Sequence, residues 1–230
     1  MKAAFALALL PAIALAQVRT ESRELLGHMG SRTAYMVAHG SQGEDGGWQL
    51  SGEYLLLPTL TRRFFEGERG PQLGATSLKE GGTPILFGRD ATGELRGVWR
   101  EGVFRGTRYG AGGQERERFE LSENFPSMQG YSAAVRCQAD SASIAYNAEG
   151  GEMKNFEWRA ASCTLSGLQQ QAMSGGLRLA SGRCAVTLRD LGEAVRVAAQ
   201  NCEQLCGAGV IEPLYVDRRG GCRAVRPEAR

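Results

Sequence analysis

The chain has 230 residues, 42% hydrophobic and 23% charged, with a formal net charge of +2. That near-balance gives no global field to draw in a polyanion, so nucleic-acid binding is set aside. The length allows one large domain or two small ones.

The first residues, MKAAFALALLPAIALAQ, combine Lys2, an apolar run from Ala3 to Ala14 and the small-residue pattern Ala14-Leu15-Ala16. This is the pattern of a secretory signal peptide over residues 1–16, cleaved near Ala16. The apolar run contains Pro11 and falls short of the ~18 residues a bilayer span requires. No later stretch is apolar enough to span, so the expectation is a periplasmic or secreted protein with no membrane span. Basic residues are nearly all arginine, with lysine only at 2, 79 and 154.

From residue 22 to 122 the hydrophobic period speaks for strands. WQLSGEYLLL puts Trp48, Leu50, Gly52, Tyr54 and Leu56 on one face. TAYMVAH, TRRFFE, TPILFG and ELRGVWRE are further short runs, separated by the turn-forming clusters GSQGEDGG, EGERGP, KEGG and RDATGE. Closely spaced turns and 32 glycines fit an antiparallel meander rather than βαβ units. GQERERFEL alternates charges around Phe119 and reads as an edge strand guarded by charge. Leu50-Ser51-Gly52-Glu53-Tyr54 and Leu95-Arg96-Gly97-Val98-Trp99 share the pattern L-x-G-x-aromatic. There glycine lets a strand bend or a ring lie over bare backbone. The same echo admits a calycin-like barrel whose cavity is lined by Trp48, Tyr54 and Trp99.

Asn124, Pro126 and Gly130 mark a linker near residues 122–130. Beyond it, residues 131–225 read as a second β-module: YSAAVRCQ, SASIAYN, NFEWRAASCTLSG, GLRLASGRCAVTL, AVRVAAQNC and VIEPLYV. RDLGEAVRVAAQNC could also form a short helix, but Gly192 and the flanking runs favour strands. The fold class is therefore all-β, two antiparallel meander or barrel-like modules with few or no long helices.

All six cysteines lie in this second module. An even number in an exported chain favours disulfides, with fifteen connectivities open. Cys163 and Cys184 sit in strands joined by MSGG and could face each other; Cys202–Cys206 would close a small ring, and Cys137–Cys222 follows by elimination. A zinc site would take two paired knuckles, and a redox pair a C-x-x-C at a helix start; neither pattern is present. No metal or cofactor is expected.

Two stretches carry a resemblance. HMGSRTAYMVAH, LSGEYLLL, GATSLKE and TGELRGVWRE resemble a meander found in exported Gram-negative proteins, where G-x-Y and G-x-W strands bracket a segment ending in L-x-E, here Leu78-Lys79-Glu80. CTLSGLQQQA, CAVTL and VRVAAQNCEQLCGAG resemble a Cys-rich periplasmic module grouped near lysozyme-inhibitor families. The resemblance implies a non-catalytic binding protein whose partner is an envelope protein or a cell-wall component. The chain departs from the pattern at Val210 and at Glu212-Pro213. Ser51-Gly52-Glu53-Tyr54 approximates the inhibitors' Ser-Gly-x-x-Tyr loop with the tyrosine one position early. A sequence pI of about 8.3 offers no steering toward a basic lysozyme.

For catalysis only His28 and His39 are available, outside HExxH, and no G-x-S-x-G occurs. Ser31 and Asp45 could in principle join His39, though no spacing supports such a triad. The carboxylate pairs Glu66/Glu68 and Glu115/Glu117 read as solvated surface. No catalytic residue is assigned, and an envelope hydrolase would need a site assembled by folding. The arginine-rich tail, with Arg218, Arg219 and Arg223, could touch an anionic surface such as lipopolysaccharide.

Overall fold

A computed structural model describes residues 19–71, 74–84, 90–139, 142–160, 163–207, 211–223 and 225–227. The expected signal peptide and most of TPILFG lie outside them.

The first eight strands run consecutively: β1 (Thr20–Met29), β2 (Arg32–Gln42), β3 (Trp48–Leu56), β4 (Thr61–Arg69), β5 (Ala75–Gly81), β6 (Gly93–Arg100), β7 (Val103–Gly110) and β8 (Glu115–Ser122). Each pairs antiparallel with the next, and β8 pairs back to β1 through Leu26 to Met29, so the sheet closes into an up-and-down barrel. Closure leaves no edge among these strands. β8 is therefore not the charge-guarded edge its alternation suggests; β1 and β7 pair it on both sides. Its alternation instead separates outward Arg116 and Arg118 from inward Phe119 and Leu121.

Coiling eight strands into a ring demands close backbone approaches, and glycines supply them. A Cβ on Gly52 would sit 2.0 Å from the Val37 carbonyl oxygen and 2.9 Å from the Phe65 ring. The L-x-G-x-aromatic motif thus lets Phe65, directly opposite in β4, lie over bare backbone.

The second module stacks two sheets. β9 (Ala133–Ala139), β10 (Ala142–Glu149), β11 (Glu152–Ala160) and β12 (Cys163–Ser166) form one. β13 (Gln169–Gln171), β14 (Leu177–Ser181), β15 (Cys184–Asp190), β16 (Ala194–Gln200), β17 (Leu214–Asp217) and β18 (Cys222–Arg223) form the other. Fully buried Trp158 belongs to the core between them, with Ile144, Tyr146 and Leu165 from the first sheet and Leu179, Val186 and Val197 from the second. RDLGEAVRVAAQNC resolves as strand β16, followed by the single helical turn α1 (Glu203–Cys206).

α1 decides the disulfides. Cys202 caps the turn and Cys206 ends it, and each reaches a different sheet. Cys202 joins Cys184 at the start of β15 (Cα–Cα 4.3 Å), and Cys206 joins Cys163 at the start of β12 (4.8 Å). The Cys163–Cys184 and Cys202–Cys206 pairings are corrected: β12 and β15 lie in different sheets, and the turn between Cys202 and Cys206 bridges them. Cys137 joins Cys222, Cα–Cα 5.2 Å, linking β9 to β18. All six cysteines are paired.

The six-stranded sheet packs its other face on the barrel wall. Leu191, Ala194 and Tyr215 meet Leu26, Tyr35, Leu55, Leu57 and Leu60, with linker residue Phe125 at the margin. This explains why β15 and β16 are buried on both faces. Glu24 of β1 forms an ion pair with Arg189 and accepts from Arg196 at 3.3 Å, while Arg196 stacks over Tyr35 at 5.2 Å. The tail strand β19 (Arg226–Pro227) returns to pair in parallel with β4 at Thr61 and Arg62.

Candidate functional site

Buried side chains pack together inside the barrel, among them Leu25, Met36, Tyr54, Phe65, Leu78 and Phe104. Near the β2–β3 turn, Arg69 lies over both Trp48 (4.9 Å) and Trp99 (5.4 Å) and pairs with Glu21 at 2.8 Å. Trp99 in turn stacks on Phe104, which tilts against Phe119. The two tryptophans are thus packed around a guanidinium that closes this rim.

Glu80 faces Gly93 at the start of β6, whereas Trp99 lies at that strand's end, so the opposite half of the barrel is charged. Glu80 is fully buried and accepts from Arg63 at 2.8 Å, from Arg108 at 2.7 Å and from the Tyr54 hydroxyl. Arg108 continues to Glu117 at 2.7 Å, and exposed Arg32 reaches the same carboxylate at 2.8 Å. Burial, reinforced by the Glu80 charge, pushes the Tyr54 phenol well above its ordinary range. Burial opposes the Arg108 charge, but Glu80 and Glu117 outweigh it and hold the guanidinium firmly protonated. Tyr54 is a member of this network, donating to Glu80.

An open concavity lies on the outside of the barrel. A groove of about 860 Å³ runs over the outer face of β1 to β5. Strand register sets its floor: Ser22, His39, Ser51, Glu66 and Lys79 stand directly opposite one another on five successive strands. Gln49 and Glu68 form part of the next row and are joined by a 3.0 Å hydrogen bond. Lys79 also reaches Glu94 at 3.2 Å. Glu94 holds Arg96 at 2.6 Å and accepts from Ser77, and these contacts, Arg96 first, lower its carboxyl to about 2. Glu66, Glu68 and Lys79 line the groove, and Glu21 at its edge is paired with Arg69.

His39 is exposed in this groove with Ser22 and Ser51 on its two sides, so no carboxylate stands directly across from it on either neighbouring strand. Ser31 lies in the β1–β2 turn, at the other end of β2 from His39, and Asp45 accepts from the Gly47 amide within its own turn at 3.0 Å. The Ser31–His39–Asp45 combination is not assembled. Glu66 and Glu68 do meet in the groove, whereas Glu117 turns inward to Arg108 and Glu115 stays outside. His28 sits on β1 opposite Glu120, in a separate shallow concavity.

Of the tail arginines, Arg218 is engaged within the fold. It binds both Asp190 oxygens at 2.6 and 2.8 Å and the Gly192 carbonyl at 2.8 Å. Arg223 lies in β18 opposite Tyr215, and Arg219 follows on an exposed turn. Ser51-Gly52-Glu53-Tyr54 lies inside β3 rather than in a loop. Among the described residues no group of three or more His, Cys, Asp or Glu side chains could hold a metal ion. No helix among them is long and apolar enough to cross a membrane.

These features define an all-β protein: a closed, internally packed eight-stranded barrel carrying a disulfide-clamped two-sheet module. No family model, curated protein or solved structure matches the chain.

Proposed function

We propose that the protein is an exported, non-catalytic binding protein of the cell envelope. In this reading it takes a basic protein partner on the β1–β5 groove, in the manner of a lysozyme inhibitor. The observation carrying the proposal is the groove itself, a register-fixed row of hydroxyl, imidazole, carboxylate and ammonium groups on rigid strands. Rigid strands hold polar groups at fixed spacing, which lowers the ordering cost of binding. The whole-chain charge gives no attraction for a basic partner, but Glu66 and Glu68 on the groove supply acidic groups there, while Glu21 is taken up by Arg69. Three disulfides fit an oxidising compartment outside the cytoplasm.

A hydrolase is the second reading, since folding does gather His39 with three serines and three carboxylates. The order across the strands works against it: a general base needs its second nitrogen oriented by an acceptor such as a carboxylate, and His39 has serines on both sides. Against the carrier reading, Trp48, Arg69, Trp99 and the Glu80 network pack the barrel interior. The test is a pull-down and inhibition assay with c-type lysozyme at micromolar concentration. Capture or inhibition is expected; absence of both removes the inhibitor reading.

A further inference from the structure

On the ring of eight strands β7 lies opposite β3, so the outer face of β6–β8 looks away from the groove. That face is arginine-rich. Thr107 stands between Arg96 on β6 and Arg118 on β8, with Arg105 two residues before it on the same face. Arg100 and Arg116 are also exposed there. A concavity of about 490 Å³ opens over Gly106, Thr107 and Phe119, flanked by Arg105, Arg118 and His28, with Glu120 as its one carboxylate. Arg96 is held by Glu94 at 2.6 Å, but Arg118, 89% exposed, has only Glu115 at 4.0 Å. Among the described residues Arg100, Arg105 and Arg116 make no ion pair. Val98, one of two large apolar side chains left exposed among the described residues, sits directly opposite Arg105.

Guanidinium forks beside a hydroxyl match the oxygens of a phosphate ester. The donors are exposed and spread over three strands rather than sunk in a cradle, which suits an array of phosphates better than a single ion. An exposed valine among them suits the boundary between headgroups and acyl chains. We infer that the β6–β8 face docks on a membrane surface through phosphate-bearing anionic lipid headgroups, leaving the groove turned toward the soluble phase. The two faces are separate, so failure of either assignment leaves the other standing.

The experiment is co-sedimentation of the protein with phosphatidylglycerol-containing vesicles and with pure phosphatidylcholine vesicles. Binding is expected to the anionic vesicles alone and to disappear in 0.5 M salt, where screening is nearly complete. Each arginine near such a surface contributes about five-fold, so Arg105→Ala/Arg118→Ala weakens binding by roughly 25-fold. Arg159→Ala, on the sandwich, leaves it unchanged. Millimolar inorganic phosphate leaves vesicle binding intact if the ligand is the headgroup array. Equal binding to phosphatidylcholine, an unaffected double variant whose melting curve matches the parent, or displacement by inorganic phosphate would each overturn the assignment.

Discussion

Replacing Glu80 by glutamine tests the charged half of the barrel. The change keeps side-chain volume but removes the carboxylate that Arg63, Arg108 and Tyr54 share. Glu80 is fully buried, and the two arginines are only 6% and 5% exposed, so water cannot replace the lost charge without opening the barrel. Breaking a buried ion pair from one side costs about 3–5 kcal/mol, and Arg108 keeps Glu117, which places Glu80→Gln near the lower figure. For a chain of this size that lowers the melting temperature by roughly 6–12 °C. Urea unfolding followed by tryptophan fluorescence reads it directly, since Trp48 and Trp99 report the barrel and Trp158 the second module. Replacing Glu80, Arg63 and Arg108 together by methionine should cost less than Glu80→Gln alone, because no charge is then stranded. A Glu80→Gln variant within about 1 kcal/mol of the parent, or a triple variant worse than the single, would refute the reasoning.

Three further outcomes follow from the same geometry. Non-reducing peptide mapping recovers Cys163 with Cys206 and Cys184 with Cys202, and Cys163→Ala/Cys206→Ala, opening a 43-residue separation, costs about 4 kcal/mol; recovery of a Cys202–Cys206 ring would contradict the clamp. Gly52→Ala forces a Cβ against the Val37 carbonyl and costs about 2 kcal/mol or more in urea unfolding, whereas a loss below ~0.5 kcal/mol would show that the sheet can yield there. Glu94, lowered from 4.5 to about 2 in the fold, stabilises fully above pH 4.5 and progressively less as pH falls toward 2. Its partners Arg96 and Lys79 are about half exposed, so screening limits the effect to about 1 kcal/mol; Glu94→Gln should flatten the melting-temperature profile between pH 6 and 3, and an unchanged profile would discount the pair.

The β-architecture was legible because most strands keep one apolar face and end in glycine-rich turns. β1 was not: TESRELLGHM mixes charges into both phases, since its outward Glu24 meets arginines from a module distant in sequence. β7, VFRGTRYG, hides its phase for a related reason, because inward Arg108 finds its counter-charge on β5. A signal for the Glu80 network was present, though. Arg63, Glu80 and Arg108 each occupy the same phase as an inward Phe65, Leu78 or Phe104, and charges repeated at core positions foretell a buried pairing. The groove could not be read from sequence, as Ser22, His39, Ser51, Glu66 and Lys79 become neighbours only through strand register. Cys137–Cys222 was read correctly, but the other two pairings failed likewise: hairpin proximity favoured Cys163–Cys184, whereas one helical turn carries Cys202 and Cys206 to separate sheets.

The central claim is that a basic partner is held on the β1–β5 groove. Calorimetric titration of c-type lysozyme into the protein and into Ser51→Arg measures it most directly, because Ser51 is exposed at the middle of the row and a long cation there fills the groove and opposes a basic surface. The account predicts saturable binding by the parent, weakened at least ten-fold in the variant with its melting curve unchanged. Equal affinity for both proteins, or no heat of binding with either, would contradict it.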